Sequence, residues 1–146
     1  MSLDENKAIA RRHFEELWGK GNLSVADEIY DPSCVGHCAN FPDQTGYPES
    51  EKQLVMRDRA PAPDQIITVE DQIAEGDKVL TRWLCRGTHT DSVPGIPATG
   101  NLITLHGMHL HRIRNGKIVE VWAIDDLFGL MQSLGVVPAE SGSATA

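Results

Sequence analysis

Three of the six histidines in this 146-residue chain lie in one short segment, "LHGMHLHR", as His106, His109 and His111. If the segment is a β-strand, His109 and His111 point to the same face of the sheet as Gly107, because side chains alternate between the two faces. On an enclosed face, this imidazole pair would hydrogen-bond a substrate oxygen or transfer a proton near neutral pH. Two alternatives are a solvated face without a chemical role and a metal site of two histidines and one carboxylate, although the sequence has no HExxH motif.

Two adjacent carboxylates, Asp125 and Asp126, lie in "VWAIDDLFGLM", where a predicted strand changes into a predicted helix. An aspartate at this junction can cap the helix, which is worth about 1 kcal/mol. One cap is sufficient and adjacent carboxylates repel each other, so the other aspartate is free to turn into an apolar pocket beside Trp83 and Trp122. A carboxylate in such a pocket is a usable general base for removing a proton from a carbon atom next to a carbonyl.

The segment "DPSCVGHC" carries Cys34, His37 and Cys38, residue types that occur in metal and redox sites. Its proline, valine and glycine disfavour a helix and favour an extended segment. In an extended segment, Cys34 and Cys38 lie on one side with their α-carbons about 13 Å apart, and His37 lies on the other side. This separation excludes a single zinc ion for all three residues and also a local disulfide. We therefore expect two packing cysteines, and His37 is a separate question.

The N-terminal part of the chain has the patterning of helices. Ser2 and Glu5 have the spacing of a capping box, and an apolar stripe at helical spacing follows as far as Trp18. A short second helix is predicted over residues 24–30, and a third is predicted to begin with another capping box at residues 50–53.

From residue 65 onward the pattern is that of strands. The stretch "QIITVEDQIAEGDKVLTRWLCRGTH" contains two β-rich runs separated by the turn "EGDK". Two further strands, "NLITLHGMHLHRI" and "KIVEVWAI", are joined by "RNGK", in which Asn-Gly is the preferred pair for a type I′ turn. A last helix follows. This order predicts an α+β fold in which helices cover one face of a bent antiparallel sheet and enclose a ligand cavity.

Composition and charge restrict the classes of partner. The length fits one domain, predicted over residues 1–138, followed by a disordered tail over residues 139–146. The net charge of −8 argues against nucleic acid or an anionic membrane as the main partner, but not against a neutral or aromatic small molecule. The three cysteines and the lack of an apolar span or signal peptide predict a cytoplasmic protein with reduced thiols. GxSxG, Walker and GxGxxG motifs are absent, so neither a covalent serine mechanism nor a bound nucleotide is expected.

Several motifs in order resemble one known family. "RGTHTDSVPGIPATG", "HRIRNGKIVEVW" and "DLFGLMQSLGVVP" are similar to SnoaL-like polyketide cyclases, also called ester cyclases, of the NTF2-like superfamily. The opening "ARRHFEELWGKGNLSVADEIYDPSCVGH" fits the same family, so the resemblance covers roughly residues 5–138. It implies a cone in which a curved antiparallel sheet and three to four helices enclose a pocket. It also implies a homodimer packed through the sheet, and neither a metal nor an organic cofactor.

The resemblance implies roles for individual residues. In these cyclases, an Asp near the end of the last strand is the general base, and the enolate that it creates closes a ring by aldol attack. The family pattern D-x-L-G-L-L-Q matches the chain from Asp126, which makes Asp126 the expected base and leaves Asp125 as its cap or its substitute. A histidine on the preceding strand accompanies the base, and His111 is the nearest match, with His109 second.

Two further histidines match the family. His37 corresponds to a polar residue in the pocket, and His89 matches the segment "GTHT", where it either reaches the pocket or braces the loop. Many relatives have an aromatic residue at the second position of the histidine pair. The more polar pair in this chain implies a different substrate, or hydration instead of condensation.

The expected function is that of a cofactor-free cyclase or isomerase for a small hydrophobic or aromatic substrate. Asp126 would remove the proton, and His111 or His37 would stabilise the oxyanion. The residues expected to bind the substrate are His109, Asp125, Trp83, Trp122 and His89. Two alternatives are an epoxide hydrolase or hydroxylase-like relative that activates water, and a non-catalytic protein that binds a small molecule.

Overall fold

The computed structural model describes residues 2–39, 41–92 and 96–138. Within these ranges the helices and strands form an α+β fold, as predicted. The predicted disordered tail, residues 139–146, lies outside the described residues. The elements are, in chain order, α1 (Leu3–Arg12), a π-helical segment (His13–Trp18), α2 (Ser24–Ile29), β1 (Tyr30–Cys38), α3 (Glu49–Arg59), β2 (Ile66–Glu75), β3 (Lys78–Thr88), β4 (Leu102–Arg114), β5 (Lys117–Asp125) and α4 (Leu127–Ser133).

The first helix begins at the predicted capping box. The Glu5 backbone N–H donates to Ser2 Oγ at 3.0 Å, and the Glu5 carboxylate accepts from the Ser2 backbone N–H at 3.1 Å. After α1 the chain widens into the π-helical segment, a feature that often occurs at functional sites. This segment buries His13, Phe14 and Leu17, and Phe14 packs against the sheet. None of the described helices has the length and apolar character needed to cross a membrane.

The second predicted capping box, at residues 50–53, is wrong. Helix α3 begins at Glu49, and Pro48 precedes it without a side-chain cap. Ser50 therefore lies inside the helix, where its hydroxyl accepts a hydrogen bond from Gln44 Nε2 at 3.1 Å. The hydroxyl connects the preceding loop to α3, a contact that the capping-box pattern does not reveal.

One five-stranded sheet, in the order β1-β5-β4-β3-β2, forms the centre of the fold. Its neighbouring strands are antiparallel except for β1 and β5, which run parallel. The sheet is therefore mixed, whereas the sequence predicted an antiparallel sheet. The reason is that β1 reaches β5 through a long connection, and only a tight hairpin forces two strands to run antiparallel. The hairpin between β4 and β5 is confirmed, since Asn115 and Gly116 have the positive φ angles, 50° and 76°, of a type I′ turn.

The helices cover one face of the sheet, which we call the inner face. Alternate residues of β3 are buried there, and α1, the π-helical segment and α2 pack over the sheet. The prediction that His109, His111 and Gly107 share a face is confirmed, because they are the register partners of the buried β3 residues Thr81, Val79 and Trp83. His111 is fully buried, so the solvated-face alternative is excluded for it.

Strand β1 confirms the extended conformation predicted around the cysteines. All three cysteines of the chain are free, and Cys34 is buried in the core. Burial raises the pKa of the Cys34 thiol to about 12, which keeps it protonated and unreactive. The predicted packing role of Cys34 therefore agrees with its surroundings.

Candidate active site

A histidine and a carboxylate meet on the inner face of β4 and β5. Asp125 ends β5 opposite Gly107, and His109 lies two residues further along β4, opposite Ala123. His109 Nε2–H donates to Asp125 Oδ1 at 3.2 Å, and the two side chains are 13% and 25% exposed. A half-enclosed carboxylate held by an imidazole in this way is suited to exchanging a proton with a bound molecule.

Gly107 leaves the space that this pair occupies. A Cβ at position 107 would lie 2.7 Å from Trp83 Cε2 and 2.9 Å from Asp125 Oδ1, both shorter than an ordinary contact. Trp83 stands edge-on to His109 with ring centroids 5.5 Å apart, and it stacks on Phe14 at 5.9 Å. The indole and the phenyl ring therefore form an apolar wall beside the carboxylate, which agrees with the expected placement of Trp83.

Several buried polar atoms next to this pair lack hydrogen-bond partners. Within the described ranges, neither ring nitrogen of His111 has a partner, and the same holds for His109 Nδ1 and Trp83 Nε1. Buried polar atoms in proteins are normally hydrogen-bonded, and exceptions need an explanation. A group of such atoms in neighbouring side chains marks this part of the interior as a place where a polar ligand would bind.

His13 completes the histidine cluster, and sequence reasoning missed it. It comes from the π-helical segment, is 3% exposed, and has its ring centroid 5.1 Å from His111 and 5.5 Å from His109. His13 Nδ1 shares a hydrogen bond with the Tyr30 hydroxyl at 2.6 Å. Its spacing could have indicated that it is buried, because His13 lies three residues after Ala10 and four before Leu17, on the predicted buried stripe of the first helix.

Burial determines the charge of this cluster. It lowers the pKa of His13 well below its ordinary value, and the neighbouring His111 and His109 lower it further. Burial likewise lowers the pKa of His111, with a smaller contribution from His109. His13 and His111 are therefore neutral at neutral pH, and each can donate one hydrogen bond and accept another.

A buried carboxylate, Glu51 of α3, lies behind His13. It is 5% exposed and accepts hydrogen bonds from Trp18 Nε1 and Gln44 Nε2, each at 2.9 Å. Burial raises its pKa, although these two hydrogen bonds act in the opposite direction. Glu51 Oε1 lies 3.9 Å from His13 Nδ1, so the cluster has a second acidic group near it in addition to Asp125.

The two adjacent aspartates have the reverse of their expected placement. Asp126 is exposed and caps α4, where its Oδ1 accepts from the Gly129 backbone N–H at 2.9 Å. Asp125 is the residue that turns to the inner face. The reason is the strand period, because Asp125 continues the inner-face series Val121 and Ala123 on β5.

His37 and Trp122 lie on the outer face of the sheet, away from the histidine cluster. His37 Nε2–H donates to Glu120 at 2.8 Å, and its Nδ1 contacts Asp43 at 3.0 Å. Its ring lies 5.6 Å from Trp122, its register partner on β5. The expected pocket placement of both residues is corrected, because β1 pairs with β5 in a register that sends His37, Glu120 and Trp122 outward.

His89 braces the connection between β3 and β4. It is 1% exposed, and its Nδ1 lies 2.9 Å from the Thr99 hydroxyl and accepts from the Thr99 backbone N–H at 3.3 Å. Its backbone exchanges hydrogen bonds with Asn101 and Gly100. Of the two roles that the sequence left open, these contacts match that of a loop brace.

A comparison with models of protein families identifies the family to which the chain belongs. The model for SnoaL-like polyketide cyclases matches residues 8–134. The chain belongs to the SnoaL-like polyketide cyclase family. The predicted resemblance is thereby confirmed.

Solved structures of SnoaL-like and related proteins have the same fold. IdmH, a candidate polyketide cyclase from Streptomyces antibioticus, is 30% identical over 89% of this chain and 98% of its own, with a TM-score of 0.78. A candidate polyketide cyclase from Acidithiobacillus ferrooxidans is 28% identical over 93% and 99%, with a TM-score of 0.79. AclR, a candidate hydroxylase from Streptomyces galilaeus, is 25% identical over 94% and 100%, with a TM-score of 0.83. The curved α+β arrangement is NTF2-like. A comparison with curated proteins found no match.

This SnoaL-like chain thus gathers a specific group on its inner face. His109, His111 and Asp125 come from the strands at the centre of the sheet, and His13 comes from the π-helical segment above them. The family motif that begins at Asp126 belongs instead to the start of α4.

Proposed function

We propose that this SnoaL-like protein removes a proton from an activated carbon atom of a small hydrophobic or aromatic carbonyl compound and directs the enolate into ring closure. The observation that supports this most strongly is the Asp125–His109 pair, joined at 3.2 Å on the inner face beside Trp83. Asp125 takes the place of Asp126 as the proposed base. Asp126 is exposed, and its carboxylate is already used to cap α4.

The proposed step begins at the C–H bond next to the substrate carbonyl. That bond breaks, the proton moves to Asp125, and the electron pair moves to the carbonyl oxygen. His109 holds Oδ1 of the carboxylate, which leaves Oδ2 to receive the proton. The enolate carbon then attacks a second carbonyl carbon of the same molecule, and the new alkoxide takes the proton back from Asp125, which regenerates the carboxylate. The reaction is balanced without a co-reactant.

Stabilisation of the enolate oxygen is assigned to Trp83 and His111. Trp83 Nε1–H is a buried donor without an acceptor among the described residues, and His111 is neutral and can donate one hydrogen bond. Preorganised donors of this kind, aimed at a developing oxyanion in a dry site, contribute strongly to catalysis. His37 has no part in this proposal because it lies on the outer face, between Glu120 and Asp43.

Activation of water is a second candidate, and the similarity to AclR favours it. AclR is a candidate hydroxylase and is 25% identical to this chain over nearly its whole length. In this version Asp125 would take a proton from a water molecule, and the polar histidine cluster would hold that water. The two candidates differ in whether an oxygen atom from water enters the product.

The test is hydrogen–deuterium exchange into carbon acids in heavy water, with β-keto esters, aryl ketones and anthraquinone-type methyl esters as the panel. We expect wild type to catalyse exchange at the activated carbon of at least one compound and Asp125→Asn to lose this activity. Incorporation of oxygen-18 from labelled water would support the water-activating candidate. Exchange that is equally fast with Asp125→Asn would contradict Asp125 as the base for the carbon acid, and oxygen-18 incorporation that is equally fast with Asp125→Asn would contradict its role in activating water.

A homodimer packed through the outer face of the sheet is part of the proposal. Three apolar side chains of neighbouring strands are exposed on that face: Leu80 by 36%, Met108 by 48% and Ile124 by 67%. Apolar side chains exposed together, unlike single ones, mark an interaction surface. A second copy of the chain would cover it. We expect light scattering to give the mass of a dimer for wild type and of a monomer for Ile124→Asp. A monomeric wild type at micromolar concentration would contradict this arrangement.

A further inference from the structure

The three imidazoles of His13, His109 and His111 have the spacing of a metal site. Among the described residues they are the one group of potential ligands whose binding atoms all lie within 4.8 Å of one another. Their ring centroids are 5.5, 5.1 and 5.8 Å apart. Three imidazoles that bind one zinc ion tetrahedrally, at about 2.0–2.1 Å, have centroids roughly 5 Å apart. Modest side-chain rotations would therefore bring the three nitrogens to bonding distance.

The outer nitrogens of the cluster have the partners that metal-bound histidines usually have. His109 Nε2–H donates to Asp125, which leaves Nδ1, and His13 Nδ1 faces the Tyr30 hydroxyl, which leaves Nε2. A carboxylate or hydroxyl that holds the far nitrogen fixes the tautomer and orientation of a metal ligand. Both nitrogens of His111 and Nδ1 of His109 are buried without a partner in the described chain, so each has a lone pair or proton to satisfy.

The surroundings favour a particular class of ion. All three ligands are imidazoles, which suit zinc and neighbouring first-row transition metals, whereas calcium and magnesium prefer oxygen ligands. Asp125, which holds the far nitrogen of His109, offsets part of the positive charge of an ion. Three protein ligands leave one tetrahedral position open, as in catalytic zinc sites.

We propose that His13, His109 and His111 bind one divalent transition-metal ion of the zinc class, with the fourth position open to water or a substrate oxygen. This goes against the family resemblance, which implies no metal. It rests on the proposed function in one respect: the ion, held by His111, would stabilise the enolate oxygen in place of a direct hydrogen bond from His111, and Asp125 would keep its role in proton transfer.

Metal binding is measured directly on tag-free, chelator-treated protein. Wild type should take up about one equivalent of Zn²⁺ or Co²⁺, as the three-histidine site predicts. Bound Co²⁺ should show the visible d–d absorption of tetrahedral coordination. Free Zn²⁺ at about 100 times its Kd should raise Tm by roughly 5–10 °C. His111→Phe, which retains an aromatic ring in the core, should abolish all three signals.

Two further variants make the assignment specific. Asp125→Asn keeps an oxygen that can accept from His109 Nε2–H but removes its negative charge. It should therefore weaken metal binding, by up to roughly 10–100-fold, without abolishing it. His37→Asn changes the histidine of the outer face, which lies between two carboxylates and is the obvious competing site. It should bind metal as wild type does. Folding of each variant is checked by circular dichroism.

Two results would overturn the metal proposal: no uptake of Zn²⁺ or Co²⁺ by folded wild type, or unchanged uptake by folded His111→Phe. Failure of the proposed function is recognised separately. Carbon-acid exchange by a chelator-treated enzyme that binds no metal would contradict the metal proposal and support the proposed function. Metal binding that His111→Phe abolishes, in a protein that exchanges no compound of the panel, would support the site and contradict the proton-transfer function.

Discussion

Gly107→Ala tests whether the interior beside Asp125 is as tightly packed as described. The new Cβ would lie 2.7 Å from Trp83 Cε2 and 2.9 Å from Asp125 Oδ1, against an ordinary carbon contact of about 3.5–4.0 Å. The indole or the carboxylate must therefore move by about 1 Å. Overpacking of this kind costs about 1–3 kcal/mol of unfolding free energy. In a domain of this size, that lowers Tm by roughly 2–12 °C.

The catalytic cost of the same change should be larger than its cost in stability. A displacement of about 1 Å in a catalytic group can reduce the rate roughly 10²-fold. Urea unfolding gives the stability, and deuterium exchange gives the activity. Trp83→Phe is the matched background, because the smaller ring makes room for the new methyl group. We expect Gly107→Ala to cost less stability in Trp83→Phe than in wild type. Equal costs in both backgrounds would refute the contact between Trp83 and position 107.

Two further predictions concern groups outside the histidine cluster. Hydrogen bonds to Glu120 and Asp43 raise the pKa of His37 in the folded protein, so its stabilisation is fully present below the unfolded pKa of about 6.5 and is lost as pH rises through the folded value. His37→Asn should therefore lower the unfolding free energy more at about pH 6 than at about pH 9; an equal effect at both would contradict the ion pairs. Asp126→Ala should cost about 1 kcal/mol and Asp126→Asn only a few tenths, because asparagine is an equally good cap. Thermal unfolding measures both, and indistinguishable variants would contradict the capping role.

The sequence pattern predicted the parts of the site that depend on local periods. The strand period placed His109 and His111 on one face with Gly107, and the Asn-Gly pair predicted the turn that pairs β4 with β5. The same period, applied to β5, would have placed Asp125 inward, in series with Val121 and Ala123. The family motif that begins at Asp126 led to the opposite choice, because a motif alone does not say which way a side chain points.

The remaining parts depend on long-range contacts. The extended segment separates His37 from the neighbouring cysteines as predicted, but the face that His37 occupies depends on the parallel register of β1 with β5, where its partner is Trp122. His13 reaches the cluster through a π-helical segment, and no sequence rule distinguishes that segment from ordinary α-helix. Glu51 lies within the predicted capping box, which gives it no special role, whereas its carboxylate lies in the interior with Trp18 and Gln44.

The most direct test compares the two adjacent aspartates in one assay. Asp125→Asn and Asp126→Asn are isosteric changes, and the rate of deuterium exchange into the same carbon acid is measured for each beside wild type. If Asp125 is the base, its substitution lowers the rate by roughly 10²–10⁴-fold and that of Asp126 leaves it close to wild type. A large loss in Asp126→Asn with an active Asp125→Asn would contradict the account.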